Sequence, residues 1–77
     1  MNTQYFLTEA ENARIEYVIA LDSAKLYAGS KSLKSLKKDA EFIRLTNKVA
    51  SAKKLWYDFN TAALIQAKQE QIQSILN

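Results

Sequence analysis

The chain has 77 residues, 48% of them hydrophobic and 25% charged, with a formal net charge of +3 at pH 7. That length leaves room for one core and argues against a second independently folding unit, while the apolar content is too high for intrinsic disorder. Cysteine and histidine are both absent, which excludes disulfides and removes the thiolate nucleophile, the commonest general base and the usual zinc ligands together.

Proline is also absent, and Gly29 is the only glycine. The residues that most strongly interrupt helices therefore occur once, and an all-α fold over residues 1–77 as a single helical domain is expected. Met1 to Ala10 carries no basic residue, and its apolar run ends after Tyr5, Phe6 and Leu7, so no secretory leader is expected. The longest later apolar run, Tyr17 to Leu21, is far short of the roughly 20 residues of a membrane span. A cytoplasmic location without membrane contact follows as the expectation.

In chain order, Thr8 followed by Glu11 forms a capping-box pattern, which predicts a first helix starting near Thr8. Tyr5, Phe6 and Leu7 would precede it and cover one end of the core. Glu9, Glu11 and Glu16 would then lie toward the positive end of the helix dipole and Lys25 toward the negative end. Ala10, Ala13, Tyr17, Leu21, Ala24 and Ala28 recur at steps of three and four, and Ile15, Val18, Ile19 and Leu26 widen the apolar side. Gly29 is the natural stop.

Ser30, Ser32 and Ser35 offer N-caps for a second helix starting between residues 31 and 36. From there Phe42, Leu45, Val49, Ala52, Trp56, Phe59 and Ala63 form an unbroken ladder of alternating steps of three and four. It crosses Thr46 and Asn47 without losing phase, and after Asn60 it drifts to Ala62, Ile65, Ile72 and Leu76. Two architectures fit. One is an antiparallel helical hairpin with a long second helix, half of it unpartnered, leaving Trp56, Phe59, Ile65, Ile72 and Leu76 exposed. The other is a three-helix bundle, if that helix breaks near Asn47 or Asn60.

Charge is segregated: residues 1–30 carry two basic and four acidic side chains, residues 31–54 eight basic and two acidic. Lys31, Lys34, Lys37 and Lys38 fall beside the expected start of the second helix, the unfavourable end of its dipole for cations. With Lys48, Lys53 and Lys54 they could form a patch for nucleic-acid phosphates or an acidic protein surface. The plainer account sets an acidic first helix against a basic second one, with the remaining lysines solvating a face. Only two arginines occur, whereas dedicated nucleic-acid surfaces favour arginine.

The carboxylate pairs Glu9 with Glu16 and Asp39 with Glu41 are not preset for general acid–base work, because the first pair is two turns apart and the second diverges. A single glycine builds neither a phosphate-cradling loop nor a calcium loop. No enzyme activity, cofactor, metal or small-molecule substrate is expected. The expected function is that of a non-catalytic protein-interaction module: an adaptor, a chaperone-like protein or an inhibitor of a larger machine, of the kind phages and mobile elements encode. It would act on another protein or a second copy of itself through the apolar, aromatic stripe of the second helix, with Trp56 and Tyr57 as anchors. Lys31, Lys34, Lys37, Lys38, Lys53 and Lys54 would complete the partner-binding set. The alternative is a small basic nucleic-acid-binding accessory protein using the lysine-rich segment 31–54.

Overall fold

Helix α1 begins where the chain first offers a cap: the Asn2 side chain accepts a hydrogen bond from the Tyr5 backbone N–H at 3.0 Å, satisfying one of the donors a helix start leaves orphaned. The computed structural model describes residues 2–76, with α1 at Thr3–Ala28, a single-turn α2 at Leu33–Leu36 and α3 at Ala40–Leu76. The all-α expectation holds, in the form of the antiparallel hairpin.

Three expectations are corrected in detail. The first helix starts five residues before Thr8. Thr8 therefore sits inside it, accepting a hydrogen bond from Gln4 Nε2, and Glu11 pairs with Arg14 rather than closing a capping box. Tyr5, Phe6 and Leu7 are helical, and no acidic side chain stands in the first turn, so the dipole contribution assigned to Glu9, Glu11 and Glu16 is not realised there. Second, Ser32 does cap a helix, accepting from the Ser35 N–H, but only the short α2; the long helix starts at Ala40. Third, α3 runs through Asn47 and Asn60 without a break, so the three-helix bundle does not form.

Helix α3 is 37 residues long and α1 is 26. The longer α1 changes what α3 leaves uncovered. Thr3 donates its backbone N–H and its hydroxyl to the Glu70 carboxylate at 3.3 and 2.9 Å, and the Tyr17 and Trp56 rings lie 5.6 Å apart between centroids. Thr3 to Tyr17 and Glu70 to Trp56 are the same number of residues, so one constant register links the helices over four turns. Only the last turns of α3 overhang.

The fully buried positions of the seam are mostly alanines, with larger side chains half-buried between them. Ala10, Ala13, Ala20 and Ala24 are the buried residues of α1; Leu45, Ala52 and Ala63 are buried on α3, with Phe42, Val49, Trp56 and Phe59 half-buried between them. The predicted ladder is thus the face of α3 turned toward α1. Spacing alternates by three and four on both helices, as in an antiparallel coiled coil. With two layers only, no large side chain is fully buried among the described residues.

The closed end is held by one carboxylate. Asp39 Oδ1 accepts from the backbone N–H groups of Glu41 (3.0 Å) and Phe42 (3.2 Å), capping α3, and the Tyr27 hydroxyl donates to the same carboxylate at 2.7 Å. Lys31 Nζ lies 3.9 Å from Asp39 Oδ2 and 3.7 Å from the Tyr27 ring centroid, so it joins the same lock by charge and by cation–π attraction. Leu36 is buried beneath the turn. Gly29 ends α1 at φ 43° and ψ −121°, its N–H donating to the Lys25 carbonyl, and this positive φ is one that side chains strain to adopt.

Gly29→Ala should lower stability by about 1–2 kcal/mol, read from denaturant unfolding followed by circular dichroism. The Asp39 carboxyl is held below the ordinary value of 3.8, chiefly by the Tyr27 hydroxyl, then by the Phe42 and Glu41 N–H groups and Lys31, against a smaller opposing effect of burial. A depressed folded-state value contributes stability that is complete above 3.8 and is lost as pH falls through the folded-state value. Asp39→Asn should therefore flatten the acid limb of a melting-temperature profile below pH 4, and an unchanged limb would show that the lock carries no such coupling.

Candidate partner-binding surfaces

Because α1 occupies the ladder, the aromatic stripe divides between fold and surface. Trp56 is half-buried against Tyr17 and Phe59 is half-buried beside Ala63, whereas Tyr57 turns outward at 71% exposure. Of the two aromatic anchors expected from sequence, Trp56 is engaged within the chain and Tyr57 is free to meet another molecule.

The lysines are likewise not brought together. Lys31 is occupied by Asp39 and Tyr27, and Lys54 is paired with Asp58 at 2.6 Å. Lys34, Lys37 and Lys38 are exposed on and just after α2 at the closed end. That end presents both the carboxy-terminal turn of α1, whose dipole favours cations, and, directly after Lys37 and Lys38, the amino terminus of α3, whose dipole does not. Lys48 and Lys53 stand on opposite flanks of α3 by helical spacing. Every salt bridge among the described residues is local: Arg14 with Glu11, Lys31 with Asp39, Arg44 with Glu41, and Lys54 with Asp58. Charge complementarity between α1 and α3 is therefore not expressed as ion pairs across the seam.

The expected carboxylate pairs have other duties. Asp39 caps α3 and Glu41 accepts from Arg44. Glu11, Glu41 and Glu70 are all held below the ordinary carboxylate value, by Arg14, Arg44 and the Thr3 hydroxyl respectively as the leading cause. Among the described residues no group of three carboxylates is gathered to hold a metal ion, and no helix is long and apolar enough to cross a membrane.

What the sequence reading did not locate are two apolar hollows on one side of the hairpin. The first, of about 320 Å³, is lined by Thr3, Leu7, Asn60, Ala63, Leu64 and Ala67. The second, of about 240 Å³, is lined by Leu21, Ala24, Lys25, Ala28, Phe42, Thr46 and Val49. Leu7, Leu21 and Ala28 are separated by multiples of seven residues, as are Thr46, Asn60 and Ala67, so both hollows open on the same flank of the seam. The seven-residue rows containing Lys25 and Leu64 place Glu11, Val18, Ala50 and Tyr57 on that flank as well. The opposite flank carries Ile19 and Leu26 of α1 with Leu55, Ile65 and Ile72 of α3, all exposed. The signal for both flanks was present in the sequence, as apolar residues outside the three-four ladder.

Comparison of the chain with protein-family models, with curated proteins and with solved structures gives no match.

Two substitutions separate the roles of the neighbouring aromatics. Trp56→Ala should destabilise the hairpin by about 2–4 kcal/mol, scaled down from a fully buried site, while Tyr57→Ala should cost the folded chain no more than about 0.5 kcal/mol. Equal losses in urea unfolding would show that Tyr57 also belongs to the core.

Proposed function

We propose that the chain is a non-catalytic helical protein-interaction module that acts by presenting the apolar rows flanking its seam. The observation that carries this reading is surface area. The chain exposes 5941 Å², whereas a compact monomer of 8.8 kDa exposes about 4,800 Å². The excess of roughly 1,100 Å² exceeds the share that one partner contributes to a standard interface.

Shape supports the same conclusion. The molecule extends 60 × 16 × 15 Å with a radius of gyration of 17.7 Å, against about 11 Å for a globular chain of this length. Fifteen large apolar residues are exposed among those described, Leu26, Leu33, Leu64, Ile75 and Leu76 each by more than two thirds. Side chains left so open contribute little to a monomeric fold and gain from being covered. The rods offer two long apolar flanks, which suit packing against other helices, as in an adaptor, a chaperone-like protein or an inhibitor that seats on a larger machine.

A second reading draws on Lys34, Lys37 and Lys38, which are exposed at the closed end and form no ion pair among the described residues. They would serve a nucleic-acid-binding accessory protein by contacting phosphates. It is the weaker reading, because Lys31 and Lys54 are engaged internally and Lys48 and Lys53 point apart. Retention on a mixed-sequence duplex or single strand that falls steeply with salt, and is lost in Lys34→Glu/Lys38→Glu, would favour it.

The module reading is tested in the native cell. After brief cross-linking, an antibody to the chain should detect it only in species heavier than one copy, and Leu64→Lys with Ile72→Lys should return it to monomer mass without loss of helicity. A chain found free and monomeric after cross-linking would overturn the reading.

A further inference from the structure

The flank that holds the two hollows is arranged to fit a second copy of itself. We infer that the chain forms an antiparallel homodimer through this flank, a four-helix bundle in which the two closed ends lie at opposite extremities. The inference rests on the reading of the chain as an interaction module and names the partner of one of its two flanks.

A two-fold interface uses the same patch twice, so the patch must be complementary to its own inverted image. An axis perpendicular to the helices, passing beside the Tyr17–Trp56 pair at the middle of the seam, reverses the order of residues along each helix. On α1 it sets Leu7 against the partner's Ala28, and Glu11 against the partner's Lys25, with Val18 near its own copy. On α3 it sets Leu64 against the partner's Ala50, Thr46 against the partner's Ala67 and Lys53 against the partner's Asn60, with Tyr57 near its own copy. Large apolar side chains meet alanines, an acid meets a base, and a lysine meets an amide oxygen.

The hollows fit this operation. One lies near each end of the flank, and Leu7 and Leu64, which wall the first, are carried toward the second, where Ala28 stands. The aligned run of α1 is 26 residues, about 39 Å, and two adjacent helices are about 20 Å wide. The flank thus offers on the order of 800 Å² per copy, the share each partner contributes to a standard interface. Ile43 is a mismatch, falling beside the partner's Gln71, and so is Arg14, which falls beside the partner's Leu21. Its guanidinium is turned back onto Glu11 at 2.6 and 3.0 Å, which leaves its methylene stem to cover that leucine.

The opposite flank does not have this property. Pairing each of its rows with itself brings Ile19 and Leu55 near their own copies but sets Leu26 against the partner's Asn12 and Ile65 against the partner's Arg44, so large apolar side chains would meet polar ones and no acid would meet a base. That flank stays free for a different protein.

The test uses the full chain. Sedimentation equilibrium on the order of 100 µM should give twice the 8.8 kDa of one chain. Glu11→Lys and Lys25→Glu should each weaken the dimer by about tenfold, and the double exchange should restore it. Since the chain contains no cysteine, single Val18→Cys or Tyr57→Cys variants should couple to themselves with a short bismaleimide, while Ile19→Cys should not. A monomer at that concentration, coupling through Ile19→Cys instead, or a double exchange no better than the single ones would overturn the dimer. A purified monomer that is nonetheless found in heavier species in cross-linked cells would refute the dimer alone, whereas a monomer in both settings would refute the module reading as well.

Discussion

Two helices share one seam, and one seam cannot cover either helix all round. Everything else about this molecule follows from that constraint. The alanines of α1, Ala10, Ala13, Ala20 and Ala24, give the large side chains of α3 somewhere to lie, and the hydrophobic gain is concentrated along that line. Away from it, apolar residues remain in water because there is no third layer. The short side chains of α1 also limit how far the seam can shelter its own rim, so even Trp56 and Phe42 are only half-buried. The hairpin is stabilised at its ends as much as along its length, by the Thr3–Glu70 clasp at the open end and the Tyr27–Asp39–Lys31 lock at the closed one.

These end locks explain why the register is single. A ladder of steps of three and four can slide by seven residues and still place apolar residues on the seam. Sliding α1 by that distance would move Thr3 away from Glu70 and Tyr17 away from Trp56, and would pull Tyr27 from the Asp39 carboxylate that also caps α3. The polar contacts contribute modestly to stability, but they exist in one register only and so discriminate among alignments that hydrophobic burial leaves close in energy.

The ladder on α3 was legible because its period never faltered, and the continuity of that helix follows from the same fact. Asn47 and Asn60 are mediocre helix formers, but each costs only about 0.7 kcal/mol relative to alanine, which the seam on either side outweighs. The start of α1 was not legible. Thr8 and Glu11 have the right identities and spacing for a cap, yet a cap acts only where the helix begins, and nothing between Asn2 and Thr8 halts propagation. Asn2, six residues before Thr8, supplies the side-chain acceptor that caps the helix instead. Misplacing that start shortened α1 by more than a turn and made half of α3 look unpartnered. The internal engagement of Lys31 was not legible either, because it meets a tyrosine that only the turn brings near, while Lys37 and Lys38 precede the start of α3 much as the sequence implies. The two hollows on one flank required the antiparallel pairing itself, because each is walled by residues from both helices.

The proposed dimer would tie these observations together through the Tyr17–Trp56 pair. Within one chain this pair marks the midpoint of the seam; between chains it lies beside the symmetry axis, so the contact that fixes how α1 meets α3 also fixes where one hairpin meets the next. A shift of register inside the hairpin would displace Leu7 from the hollow at Ala28 and Glu11 from Lys25 at the same time. Folding and assembly therefore select the same alignment, and the rows that look wasteful on an isolated hairpin are the rows that make its register matter. The flank bearing Ile19, Leu26, Leu55, Ile65 and Ile72 lies outside this arrangement. Two copies of it, on opposite sides of the proposed bundle, would give that assembly a pair of equivalent apolar surfaces with which to hold something else.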